Sequence, residues 1–142
     1  MVPSPDPHAS RSALETALCS EMRAQGVDHE HRSLHFRVQL AGGESIRYDP
    51  DLVVRRGSIL FLVEPLEAPR DERSRLELLA AFLEQHSPEI VLVVVAAPDR
   101  AATLPSTSYD EVYPSDDLSA VVRRMREQDP RGIIRPFPKP KG

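Results

Sequence analysis

Two apolar runs in this chain end in carboxylates: Tyr48-Asp49-Pro50-Asp51-Leu52-Val53-Val54 and Ile59-Leu60-Phe61-Leu62-Val63-Glu64-Pro65-Leu66-Glu67. An ionised carboxylate on a buried strand is costly unless something compensates its charge. Asp49 and Asp51 share one face of their strand, and Leu60, Leu62, Glu64 and Leu66 share one face of the next. Converging carboxylates attract a hard divalent cation such as Mg²⁺ or Mn²⁺. Such a cation activates water and stabilises charge on a phosphate. Ordinary alternatives stand beside this reading. Asp49 and Asp51 fit turn chemistry around Pro50 or pairing with Arg47 or Arg55, and Glu64 fits an ion pair with Arg70 or Arg73. Glu15 fits a capping box with Ser12 as well as a metal-site role.

The elements that must position these groups follow from periodicity. Leu14, Leu18 and Met22 mark a helix over Ser12 to Gln25, closed by Gly26. Leu34, Phe36, Val38 and Leu40 alternate with polar residues as a half-buried strand. Gly42-Gly43 turns the chain into a second strand, Ser45 to Val54. A third runs from Ser58 to Leu66, and the three read as an antiparallel meander. A second helix covers Pro69 to Gln85, with Leu76, Leu79, Ala80 and Leu83 as its apolar stripe. Residues 90–95 are apolar on both faces, as a central parallel strand requires. A weak edge strand at Tyr109 to Tyr113 and a final helix after Asp116-Asp117 complete the body. The fold class is α/β: an αβββαβ core with a mixed central sheet flanked by helices.

This order of elements, with Pro50-Asp51 in the second strand and Glu64 near the end of the third, resembles the PD-(D/E)XK superfamily of restriction endonuclease-like nucleases. The resemblance covers roughly residues 10–97. It implies that Asp51 and Glu64 bind Mg²⁺ or Mn²⁺, that Glu15 in the first helix assists, and that the carbonyl of Pro65 adds a ligand. Proline can do this because it lacks only the N–H. The family's lysine, two residues after the second acid, is replaced here by Leu66. Arg73, reached by extending the second helix's stripe backward, is the expected source of fixed positive charge, though an arginine cannot act as a base. The implied activity is metal-dependent hydrolysis of DNA phosphodiester bonds, weak or partner-dependent. The alternative is an inactive nuclease-fold subunit that binds DNA or protein in a transposition, repair or defence complex.

Composition bounds these readings. The 142 residues carry 18 Lys+Arg against 22 Asp+Glu, a net charge of -4. This argues against strong non-specific DNA binding by the whole surface. Both lysines, Lys139 and Lys141, lie near the C-terminus, so the body relies on arginine. No apolar run approaches the roughly 20 residues needed to span a bilayer. With Cys19 as the single cysteine, no internal disulfide can form, and a cytoplasmic location is expected. Cys19 reads as a small buried hydrophobe, and His29 and His31 as solvated groups in a polar loop without a third ligand. No small-molecule cofactor is expected, since no glycine-rich phosphate loop is present. The expected organisation is a proline-rich arm over 1–9, one domain over 10–128, and a basic proline-rich tail over 129–142. DNA is the expected partner, with a protein partner or homodimer also open.

Overall fold

In a computed structural model, which describes residues 12–67 and 72–131, the chain forms a five-stranded mixed sheet between helices. Its elements are α1 (Ala13–Ala24), β1 (Glu30–His31), β2 (Phe36–Gln39), β3 (Ser45–Tyr48), β4 (Leu52–Arg56), β5 (Ile59–Leu66), α2 (Glu72–Gln85), β6 (Ile90–Ala96), α3 (Pro98–Ala101), β7 (Glu111–Pro114) and α4 (Leu118–Arg126). The sheet order is β1-β4-β5-β6-β7, with β2 and β3 forming a separate two-stranded sheet. β1–β4 and β4–β5 are antiparallel, while β5–β6 and β6–β7 are parallel. The expected arm at 1–9 and all but the first three residues of the expected tail lie outside the described residues.

The expected meander is corrected in one respect. Ser45 to Val54 is not one strand: β3 pairs only with β2, and β4 pairs with β1 and β5. Pro50 sits in the break and cannot donate to a ladder, and it holds Asp49 extended. The chain therefore leaves the hairpin at Tyr48 and enters the main sheet at Leu52, and Asp51 falls in the junction.

The sheet buries both faces. Leu14, Leu18 and Met22 of α1, with Val121, Val122 and Met125 of α4, pack on Phe61, Val63, Val93 and Val95. On the other face, Leu78, Leu79 and Phe82 of α2, with Val38 and Tyr48 of the hairpin, pack on Val53, Leu62, Leu66, Leu92 and Val94. The α1 stripe is the expected one. The α2 stripe is not: the buried residues are Leu78, Leu79 and Phe82, whereas Leu76, Ala80 and Leu83 are only partly buried. Phe82 sets this rotation by packing its ring 5.0 Å from Phe36 and 4.9 Å from Tyr48. Extending the observed stripe back one turn reaches Arg75, at i−3 and i−4 from Leu78 and Leu79.

The β4–β5 turn fastens α4. Gly57 has φ +60, and a Cβ there would lie 1.7 Å from the carbonyl oxygen of Pro130. Ser58 N–H donates to that same carbonyl at 3.3 Å, and Arg56 Nη2 donates to the carbonyl of Arg126 at 2.9 Å. Gly57→Ala should cost at least about 2 kcal/mol in urea unfolding: roughly 1–2 from the left-handed backbone, and more from displacing the chain at Pro130. A change below about 0.5 kcal/mol, the scale of a neutral surface substitution, would contradict this packing.

Candidate functional site

The register of the sheet brings the predicted acids together. β4 and β5 pair Leu52 with Val63, so one step further along the same ladder puts Asp51 across from Glu64. β1 and β4 pair His31 with Leu52, and the next step puts Arg32 across from Asp51. The Arg32 N–H donates to the Asp51 carbonyl at 3.0 Å, continuing that ladder by one bond. A row therefore crosses the sheet as Arg32, Asp51, Glu64 and, by the β5–β6 register, Val94.

Glu64 is the most constrained member. It is 1% exposed. Arg75 donates to its Oε1 from Nη2 at 2.7 Å and from Nε at 3.1 Å. The Tyr48 hydroxyl donates to Oε2 at 2.7 Å. Arg75 also sits 5.2 Å from the centre of the Tyr48 ring, close enough for a cation–π contact. Burial pushes the Glu64 carboxyl above its ordinary range against the pull of Arg75, and the neighbouring charge on Asp51 pushes the same way. Burial, then the Glu64 charge, raises the Tyr48 hydroxyl well above its usual value, so it serves as a donor.

Asp51 is 15% exposed on its side chain, and its Oδ1 lies 3.6 Å from Arg32 Nη1. Arg32 adopts φ 48, an uncommon conformation for a residue other than glycine. The same guanidinium reaches Glu15, donating to Oε2 at 2.9 Å and Oε1 at 3.1 Å. Glu15 is fully buried and takes a further hydrogen bond from His31 Nδ1 at 2.6 Å. Ser12 caps α1 by accepting from the Glu15 N–H at 3.1 Å. Capping by Ser12 and inward use of the Glu15 carboxylate thus coexist.

The predicted residues are distributed as follows. Asp51 and Glu64 are neighbours, and Glu15 joins them through Arg32. Arg73 is exposed on α2 and Arg75, not Arg73, reaches Glu64. The reason is the rotated α2 stripe described above. Pro65 lies in the β5–β6 ladder opposite Val95. Leu66, two residues after Glu64, is buried in the apolar cluster with Leu78 and Leu79. Asp49 pairs with Arg47 at 2.9 Å, and Arg55 pairs with Glu30 instead. Glu67 points to the other face, where its carboxylate accepts from the Leu14 N–H at the start of α1. Tyr48, Arg32 and Arg75 were not anticipated. The signal for Tyr48 was its phenol beside Asp49-Pro50-Asp51, since a buried tyrosine needs a partner for its hydroxyl.

The pairing of Glu64 with Arg75 sets a pH-dependent stability. Arg75→Met strands a buried carboxylate, and should destabilise by about 3 kcal/mol at about pH 8, the low end of the range for a broken buried pair because Arg75 is partly exposed. Without its partner, Glu64 has a folded-state pKa further above its unfolded value. The penalty is therefore full above the folded pKa and shrinks as pH falls toward the unfolded one. Urea unfolding of wild type and variant at about pH 8 and about pH 5 should show the deficit narrowing at the lower pH, whereas an equal deficit at both would contradict the pairing. No protein-family model matches the chain and no curated protein matches it, so what these residues can do is decided by their own geometry.

Proposed function

We propose that the chain is a restriction endonuclease-like, metal-dependent phosphodiesterase acting on DNA, in which a helix arginine replaces the strand lysine. The observation that carries this reading is the juxtaposition of Asp51 and Glu64 across one ladder step, with Arg75 delivered to Glu64 from α2. The donors are hard oxygens, as Mg²⁺ or Mn²⁺ requires. The two carboxylates also repel one another, since Asp51 raises the Glu64 carboxyl, and a cation between them would relieve that repulsion. Asp51, Glu64 and the Pro65 carbonyl would hold the ion. When bound, it supplies an activated water and positive charge for the phosphate.

The remaining residues have roles the chain itself provides. Arg75 is a fixed cation that orients Glu64 and offsets charge near it. Tyr48 fixes the second oxygen of that carboxylate. Arg32 bridges Glu15 and Asp51, and an ion at Asp51 would take its place there. The hairpin beside the site presents Arg37 and Arg47 directly opposite one another, both exposed. Arg47 is paired with Asp49 at 2.9 Å, and Arg37 beside it is a cation that a phosphate backbone would meet.

A second reading is favoured by one specific feature. Both Glu64 oxygens are already engaged by Tyr48 and Arg75, and Leu66 gives the site no lysine. A DNA- or protein-binding subunit without hydrolysis would look the same. A supercoiled-plasmid nicking assay in Mg²⁺ and in Mn²⁺ separates the two. The enzyme reading predicts metal-dependent nicking, lowered about 100-fold or more in Asp51→Asn and in Glu64→Gln, the scale of a lost electrostatic partner. Arg73→Ala should retain it and Arg75→Met should not. Folded wild-type protein that nicks in neither metal would replace the enzyme with the binding subunit.

A further inference from the structure

A second group of ligating side chains lies on the α1 side of the sheet edge. Cys19 of α1, His29 before β1 and His31 within β1 each offer one ligand atom, and these atoms lie within 4.8 Å of one another. Among the described residues this is the group of three or more His, Cys, Asp or Glu side chains drawn so close. The expectation of a solvated histidine is overturned for His31, whose side chain is 1% exposed with Cys19 buried beside it, whereas His29 is half-buried. β1 pairs with β4, which carries His31 inward beneath α1.

We propose that Cys19, His29 and His31 form a transition-metal site, with zinc as the metal of best fit and a fourth position open to water or another ligand. The hydrogen bonds prepare the two imidazoles for it. His29 Nδ1 lies 3.2 Å from the carbonyl oxygen of Val27, and His31 Nδ1 lies 2.6 Å from Glu15 Oε2. Both partners only accept, so each ring carries its proton on Nδ1 and turns Nε2 into the ligating atom. A carbonyl or carboxylate behind the far nitrogen is the usual support of a metal-binding histidine, fixing tautomer and orientation. His29 Nε2 lies 3.1 Å from Cys19 Sγ.

The spacing suits the metal. Zinc with Zn–S near 2.3 Å and Zn–N near 2.0–2.1 Å in a tetrahedron holds its ligand atoms about 3.3–3.6 Å apart. The present separations need small side-chain shifts to meet this. One thiolate and two imidazoles are a borderline-soft set that selects zinc over Mg²⁺ or Mn²⁺. Three protein ligands leave one coordination position, as in catalytic rather than purely structural zinc sites. His29 also lines an open cleft of about 440 Å³ with Arg23, Gly26, Val27 and Asp28, which provides an entry path. Binding the metal releases the Cys19 proton. The site stands apart from the phosphodiesterase reading, because its donors and its preferred metal are different.

Co²⁺ as a spectroscopic substitute for zinc tests it on the whole 142-residue chain. The wild type should give the intense visible bands of four-coordinate cobalt together with thiolate-to-cobalt charge transfer, and zinc should displace them at a one-to-one ratio. Cys19→Ser should lose the charge transfer, and His29→Gln should weaken zinc binding more than Glu15→Gln does. The latter should lower affinity about 10- to 100-fold, the scale for a residue that supports a ligand. Circular dichroism establishes that each variant is folded. A wild-type spectrum of six-coordinate aqueous cobalt overturns the proposal without recourse to any variant. So does a four-coordinate spectrum that survives unchanged in folded Cys19→Ser and His29→Gln.

Discussion

A carboxylate held at 1% exposure in the longest strand of the sheet is the constraint around which the rest of this structure is arranged. Glu64 cannot be buried charged without compensation, and two groups from separate elements supply it. Arg75 comes from α2 and the Tyr48 hydroxyl from β3. These bonds require α2 to present Arg75, Leu78, Leu79 and Phe82 on one side. They also require the β2–β3 hairpin to fold over the same face of the sheet. The aromatic cluster of Phe36, Tyr48 and Phe82 packs around this connection. Apolar packing and the polar bonds thus specify the same arrangement, so each removes alternatives that the other would tolerate.

From Glu64 the polar contacts run outward in a chain. Asp51 is its electrostatic neighbour, Arg32 holds Asp51 and Glu15, and Glu15 holds His31. The chain passes from the α2 face of the sheet around the β1 edge to α1. Arg32, whose backbone is left-handed, reaches both Glu15 and Asp51. One consequence is chemical. Glu15 lies at the joint between a hard-oxygen region at Asp51 and Glu64 and a sulfur–nitrogen region at Cys19, His29 and His31. Glu15 accepts from His31 on one side and from Arg32 on the other, and Arg32 reaches Asp51 as an ion pair at 3.6 Å.

The parts of the fold that periodicity controls were legible in the residues. The four-residue spacing of Leu14, Leu18 and Met22 placed α1 correctly, and the unbroken apolar run of β6 correctly announced a strand with parallel neighbours on both sides. What periodicity could not resolve was decided by long-range packing. The stripe of α2 is ambiguous because Leu76, Leu78, Leu79, Phe82 and Leu83 surround much of the helix, and the choice of Phe82 depends on a hairpin distant in sequence. That one rotation put Arg75, and not Arg73, beside Glu64. The break at Pro50 was visible, yet its effect, a separate hairpin sheet, depends on where Tyr48 finds its partner. His29 and His31 looked polar and local because the two-residue strand β1 is too short to leave a pattern. Cys19 lies ten residues earlier, so only the folded chain shows the three side chains as neighbours.

The step between Asp51 and Glu64 is either a cation site or only an ion-pair network. Diffraction from crystals grown with Mn²⁺, collected for its anomalous signal, reads this directly. A cation site gives an anomalous peak within coordination distance of Asp51 and Glu64, with Arg32 displaced from Asp51 and Arg75 still on Glu64. A map in which Arg32 retains Asp51, both Glu64 oxygens keep their present partners, and no peak lies between the two acids would contradict it.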